Sequence, residues 1–526
     1  MKRFSWVGAA AAAALFAAPA VAQAQAAARQ DPVLEAIWNE GTRNSQLERL
    51  AQALTDSIGP RLVGTPQQKL ASDWAIAQYR SWGIQARTEQ YGTWRGWERG
   101  ITHVDLVQPR VRSLEGMMLA WSPGTGGRPV EGPVVALPDF ATQQEFQAWL
   151  PQARGKFVAI SFAQPSCRPD ENRARWATEE SFARFRQQRS ADSAAWEQRV
   201  ARTGLTSRTL PVRLEEAGAL GVIASNWSQG WGVNKVFQAR TQRVPHLDLS
   251  CEDYGLLFRL AKNNQGPVIR VVAESSATPA EIPVYNTIAE VRGRQKPNEY
   301  VMLSAHFDSW DAASGATDNA TGTVVMMEAM RILRKVYPNP KRTLLVGHWN
   351  GEEQGLNGSR AFAADNPRIV QNLQALFNQD NGTGRVATLS MMGFTGAQPF
   401  FARWLAQVPR DITRHITVDS PGVPSSGGSD HASFVCHGAP GFSLSSLSWD
   451  YSTYTWHTNR DTYDKIHFDD VRNNAVLTAM LVYLASEDPN RVPRDRITTF
   501  PAGRTGTPGS WPACQDATRT SAASTR

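Results

Sequence analysis

Lysine is scarce in this chain of 526 residues, nine against 46 arginines. No run of five or six basic residues occurs, and the arginines are scattered among acids. The formal charge of +7 is therefore not the clustered footprint of a nucleic-acid binder. Cysteine is scarcer still: four residues exclude a small scaffold built on disulfides. Beyond the first 26 residues nothing approaches 18 consecutive apolar positions, so no later segment reads as a membrane-spanning helix and stable membrane insertion is not expected. Glycine (40) and proline (31) are too ordinary for a collagen-like or proline-rich fibre. What is present, 41% hydrophobic and 20% charged residues, excludes wholesale disorder. The length allows several domains at roughly 150 residues each.

The first 26 residues, MKRFSWVGAAAAAALFAAPAVAQAQA, have the parts of an export signal. Lys2 and Arg3 give a positive start, and Val7 to Ala18 an apolar stretch too short to span a bilayer. Ala20-Val21-Ala22 and Ala22-Gln23-Ala24 both fit a small-x-small cleavage site. Residues 1–24 are read as a signal peptide, and the mature chain is expected in the periplasm or outside the cell. Export permits disulfides. Cys167, Cys251, Cys436 and Cys514 allow three pairings; Cys167–Cys251 is favoured because both fall in one expected domain, while four free thiols stay open.

Residues 25–115 and 282–490 read as two parts of one α/β unit, with 116–281 inserted between them and 491–526 as an unstructured tail rich in Arg, Thr, Pro, Gly and Ser. A helix over Gln67 to Trp82, with Leu70, Trp74, Ala77 and Tyr79 on one face, precedes a strand over Ile84–Tyr91. The insert has short extended runs at Val134–Leu137, Phe157–Phe162 and Gly221–Ala224, a polar helical stretch from Arg168 to Arg208, and no catalytic constellation. After residue 282, apolar runs at Tyr300–Ala305, Thr343–Trp349, Leu376–Gln379 and Gly441–Ser445 alternate with helical patterns at Thr323–Val336 and Asp469–Ser486. That alternation predicts an α/β sandwich on a mainly parallel sheet.

In such sheets ligands bind beyond the carboxyl ends of the strands. Those ends are where the acids and histidines stand: His306 and Asp308, then Asp318 before the next helix, Glu352 and Glu353, Asp380, and His457 before the last helix. Each alone has a plain reading: a strand-end histidine, a helix cap, a solvated acidic pair, a turn, loop packing. Together they supply five imidazole and carboxylate ligands and a base, the set a hydrolytic pair of metal ions needs.

HFDSWD, GATDNATG, NGEEQG, QDNG and WHTNRDTYDKI, with SIGPRLVGT upstream, resemble the motifs of zinc peptidase family 28, over roughly residues 35–490. The resemblance implies a three-layer α/β sandwich with a mixed, mainly parallel sheet, and a smaller α/β protease-associated domain inserted at 116–281. It implies two Zn2+ ions per chain, Asp318 bridging them, His306 and Asp380 completing one site, Glu353 and His457 the other. Glu352 would be general base and then general acid, and Asp308 would hydrogen-bond the outer nitrogen of His306. A cis peptide is expected at Asp318–Asn319. Asp430 and His431, in GGSDHASF, would line or brace the substrate pocket. The implied activity is hydrolysis of short peptides from one end, with the aminopeptidase or carboxypeptidase direction open, and homodimers occur among relatives.

One position departs. Glutamate carboxypeptidases of the membrane type carry a tyrosine before the last histidine ligand, where this chain has Trp456. Tyr454 and Tyr451 stand nearby, and the group that polarises the scissile carbonyl is left open. A non-catalytic binding protein on the same scaffold would have eroded ligands, and this chain retains all five. A single-zinc cyclase or a two-metal phosphatase ranks lower on the paired histidine–aspartate ligands and the Glu-Glu pair.

Overall fold

The computed structural model describes residues 31–380, 382–501 and 509–524. The expected signal peptide lies outside the described residues. The larger half is a three-layer α/β/α sandwich. Strand Lys296–His306 sits near its centre, parallel to Arg342–Trp349 on one side and to Leu373–Asn378 on the other. Gly441–Ser446 continues the parallel run, and Val386–Ser390 turns antiparallel beyond it. The central strands are buried on both faces, which is why they read as unbroken apolar runs.

One face is covered by helices Pro32–Arg43, Thr321–Val336 and Phe468–Glu487, packed on Val301, Leu303, Val346 and Phe377. The other is covered by Asn357–Asp365, Pro367–Gln371 and Ala432–Val435 through Phe362, Val370 and Phe434, which meet Met302, Leu345 and Trp349. Helix Pro66–Ser81 starts as its sequence suggests: Pro66 takes the first turn, and Thr65 accepts from the Gln68 N–H at 3.3 Å. Its buried side differs from the expected one. Ala71, Ala75 and Tyr79 face the core, whereas Leu70 is 54% exposed. Two small alanines let the helix axis approach the sheet closely, and tertiary packing overrides the larger side chain.

Two strands of 24 residues, Gln85–Gln108 and Val268–Val291, pair antiparallel along most of their length. This ribbon replaces the short Ile84–Tyr91 strand of the sequence reading and runs through residue 281 without a break. Near one end it edges the catalytic sheet, Val291 pairing with Leu344; near the other, Val268–Val271 pairs with Val130–Pro133. There a second lobe begins, with strands 130–136, 157–159, 221–224, 246–249 and 116–118 and its own apolar clusters. The polar stretch Arg168–Arg208 forms two helices, Asp170–Trp176 and Glu179–Arg202.

The expectation of an unstructured tail is corrected for its described residues. Cys514 is disulfide-bonded to Cys436, Trp511 packs on Phe394, and Arg519 pairs with Asp365 at 2.8 Å. A covalent tie and one half-buried indole hold a segment whose composition alone would leave it loose. Cys167–Cys251 is the other disulfide, inside the second lobe. Among the described residues no helix is long and apolar enough to cross a membrane.

Candidate metal centre

Most of the candidate side chains stand where a strand stops. His306 is the last residue of its strand, and its ring is 1% exposed. Glu352 and Glu353 follow Arg342–Trp349, and Asp380 follows Leu373–Asn378. Asp318 sits in the turn Ala316–Ala320 that leads into helix Thr321–Val336, and the Asp318–Asn319 peptide is cis. His457 comes from the loop after Tyr451–Thr455. Parallel strands all end on one side of the sheet, so residues up to 151 positions apart converge (457 − 306).

They converge as two triads that share one carboxylate. His306 Nε2 lies 2.9 Å from Asp380 Oδ1 and 3.2 Å from Asp318 Oδ1. His457 Nε2 lies 2.9 Å from Glu353 Oε2 and 3.3 Å from Asp318 Oδ2. Within each triad the candidate ligand atoms fall within 4.8 Å of one another. The two oxygens of Asp318 thus face different partners, the geometry of a bridging ligand. The donor set of three carboxylates and two imidazoles suits zinc. Buried Glu353 Oε1 lacks a hydrogen-bond partner in the protein, an expensive state unless a cation meets it.

The charges agree with that fit. Burial disfavours a charged His306, but Asp380 and Glu352 outweigh it and hold its pKa well above the usual value. Burial likewise opposes charge on His457, and Glu353 and Asp318 raise it to about 9. Burial pushes Glu353 up to about 7 despite His457. Burial would raise Asp318 too, yet hydrogen bonds from His306 and His457 hold it well below the carboxylate range. Without cations the site stores protons between its acids and imidazoles.

Glu352 stands beside this cluster, its pKa raised well above the usual value by burial, which His306 opposes and Asp380 and Asp430 reinforce. A carboxyl whose proton affinity is raised by burial suits a group that takes up a proton during the reaction. Asp308 contacts His306 differently from the expectation. Its backbone carbonyl is 3.0 Å from Nδ1, whereas its carboxylate stands 3.7 Å away. A carbonyl can only accept, so Nδ1 keeps its proton, and Nε2, which faces the carboxylates, is the nitrogen that would give up its proton to offer a lone pair to a metal. The Asp308 carboxylate instead accepts the backbone N–H groups of Glu352 and Glu353 at 3.2 and 3.3 Å, fixing the base and its neighbouring ligand together.

The expected pocket residues separate. Asp430 and His431 are 0% and 5% exposed. Burial, with Asp380 and Asp308 adding and His306 opposing, lifts Asp430 to about 8; burial lowers His431 to about 4. Both brace the site from beneath rather than line a surface. Tyr454 lines a groove of about 560 Å3 with Trp231 of the second lobe and Trp449. Trp456 turns the other way, its ring 4.1 Å from that of His457. Tyr451 is raised well above its usual pKa by burial and by the fields of Asp318, Asp380 and Glu353.

Three contributors went unassigned in the sequence reading. Asp461 accepts the backbone N–H groups of Thr317 and Asp318 at 2.8 and 3.0 Å, clamping the shared carboxylate's main chain. Arg61 is fully buried and donates to the carbonyls of Gly59, Phe307, Ser314 and Gly315, tying together both ends of the loop between His306 and Asp318. Both lie in the quoted segments WHTNRDTYDKI and SIGPRLVGT, which is the signal that was available. Lys235, from the second lobe, left no signal; burial lowers it to about 8 while Asp248 and Asp318 oppose the shift.

Comparison with known proteins gives a consistent result. The sequence pattern of Peptidase family M28 matches residues 286–482. Carboxypeptidase Q of Bos taurus is 24% identical over 458 residues, covering 86% of this chain and 87% of that protein. Carboxypeptidase Q of Homo sapiens is 25% identical, with the same coverage of 86% and 87%. Among solved structures, a Peptidase M28 precursor from Shewanella amazonensis superposes with a TM-score of 0.64 at 24% identity, covering 88% of this chain and 98% of that one. BSAP, a zinc aminopeptidase from Bacillus subtilis, gives 0.53 at 18% identity, covering 85% and 96%.

Proposed function

Since the chain belongs to peptidase family M28 and is a metallo-exopeptidase, we propose that it works with two zinc ions, one held by His306, Asp318 and Asp380, the other by Asp318, Glu353 and His457. The pair of triads on one shared carboxylate carries this reading. Bound there, zinc would supply Lewis-acid polarisation of the scissile carbonyl and an acidified water. Glu352 takes a proton from the attacking water and returns it to the leaving amine. Asp308 keeps Glu352 and Glu353 in register through their N–H groups and fixes the tautomer of His306 through its carbonyl. Tyr451 supplies the hydroxyl that Trp456 lacks; the influence of three ligand carboxylates on it supports that assignment.

The substrates are short peptides: the second lobe docks on the loop that carries His457 through Val236 and Phe237, which narrows the approach to the centre. Residues 116–281 act as a protease-associated insert that shapes the substrate end of that approach. The protein works after export from its signal peptide, a reading supported by two disulfides and no free cysteine among the described residues.

The test is Glu352→Gln. Metal analysis should find two zincs per chain, as in the wild type, while dipeptide turnover drops about 10²- to 10⁴-fold. Near wild-type turnover at full zinc content would remove Glu352 from the mechanism.

A further inference from the structure

The second lobe reaches the metal centre with one short segment. Its Val236 N–H donates to the His457 carbonyl at 2.9 Å, and Lys235 bridges to Thr458 in antiparallel register. The rings of Phe237 and His457 meet edge to face at 5.2 Å. Asn234 and Asn459 exchange further hydrogen bonds. The segment is thereby locked to the loop that carries His457.

Lys235 is the charged residue of this segment and is only 7% exposed. Its ammonium lies 4.2 Å from the centre of the Trp456 ring, which in turn lies 4.1 Å from the His457 ring. Among the described residues no carboxylate ion-pairs with it; Asp248, which accepts from its backbone N–H, and then Asp318 act on the ammonium only through space. A buried ammonium without a contacting counter-ion is costly, and one aromatic face offsets only part of that cost. An arriving carboxylate would supply the missing contact. The acids around the centre are already committed: Asp318, Asp380 and Glu353 to the triads, Glu352 to the base, and Asp430 to a fully buried position. Asp311 is taken by Arg99 at 2.7 Å. The free charge at the centre is therefore positive, which suits a substrate carboxylate and not a substrate ammonium.

We propose that Lys235, resting on Trp456, binds the carboxylate of the residue on the leaving side of the scissile bond, so that the enzyme removes carboxy-terminal residues or splits dipeptides. This deepens the dizinc exopeptidase reading and rests on it. It also gives Trp456 a purpose: the indole that replaces a hydroxyl is the platform for the ammonium. Lys235 is a specificity-determining residue, contributed by the insert to a centre built by the catalytic sheet.

The experiment uses the zinc-loaded full-length mature protein. Substrates are a dipeptide and the same dipeptide as its carboxy-terminal amide; leucine and leucinamide are compared as product ligands by calorimetry. The wild type should cleave the free dipeptide at least about tenfold more efficiently than the amide, and bind leucine more tightly than leucinamide. Lys235→Met should raise KM for the free dipeptide roughly 10- to 100-fold, leave the amide unchanged and abolish the preference for leucine. Lys235→Arg should restore much of the preference, which guards against a folding defect in the methionine variant. Equal use of acid and amide by the wild type, or a preference surviving in a zinc-replete Lys235→Met protein, overturns the assignment and leaves the dizinc peptidase intact. A wild type that binds two zincs and cleaves neither peptide overturns both.

Discussion

Tyr451 and Trp456 stand five positions apart in one loop and meet different surroundings. Trp456 has the sequence position next to His457, but its indole offers no hydroxyl and lies against the imidazole. Tyr451 packs its ring against Gly382, two residues beyond Asp380, and feels all three ligand carboxylates. Gly382 has a φ of +80°, a conformation glycine adopts without strain, and its bare Cα gives the ring room. Tyr451→Phe should therefore lower kcat about 10- to 100-fold with little change in KM, because the lost hydrogen bond strengthens only as charge develops on the carbonyl oxygen. Steady-state kinetics on one dipeptide checks this; a change confined to KM would return Tyr451 to a packing role. Asp308 carries a related lesson. Its place after His306 marked it as a partner of the imidazole, but a residue two positions away also offers a backbone carbonyl, and here the carbonyl makes that contact.

At the scale of elements, the site depends on loops held from a distance. The turn with Asp318 is clamped by Asp461, and the loop before it by Arg61. Helix Ala432–Val435 follows Asp430 and His431 directly, and Cys436 at its end is tied to the carboxy-terminal segment. The loop closed by Cys436–Cys514 spans 78 residues. Closing a loop of that size restricts the unfolded chain, worth about 2–4 kcal/mol. The double variant Cys436→Ser, Cys514→Ser should lose about that much stability, and thermal melting should show a matching drop, while reductant, which also opens Cys167–Cys251, should lower the wild type at least as far. An unchanged melting temperature would mean that Trp511 and Arg519 anchor the segment by themselves.

For the whole molecule, the metal-free centre should make stability depend on pH. His457 has a folded pKa of about 9 against an ordinary 6.5, and Glu353 about 7 against 4.5. Both are raised. The contribution of each is complete below its unfolded value and is lost as pH rises through the folded one. The metal-free protein should thus weaken between about pH 5 and 9. Zinc displaces those protons, so the loaded protein should melt at a nearly constant temperature over the same window, the gap widening with pH. Melting of chelated and zinc-loaded samples at pH 6, 7.5 and 9 decides this; parallel curves would mean that the imidazoles do not exchange protons for metal.

The sequence by itself determined the parallel sheet and which acids and imidazoles gather beyond its strand ends. Buried parallel strands must be apolar on both faces, so Tyr300–Ala305 and Thr343–Trp349 announce themselves, and ligands at strand ends follow in chain order. His306, Asp318, Glu352, Glu353, Asp380 and His457 were legible because each stands beside such a strand or helix end. The tertiary structure alone decided what depends on contacts distant in sequence. The ribbon of Gln85–Gln108 with Val268–Val291 was hidden, since each strand has its partner some 180 residues away and alternates faces as it passes from one lobe to the other. The ordered tail was hidden because a disulfide and a half-buried indole, not composition, hold it. Lys235 was hidden most completely: nothing in its neighbours marks it, and only the docking of one lobe on the other removes its ammonium from water and sets it beside the metal centre.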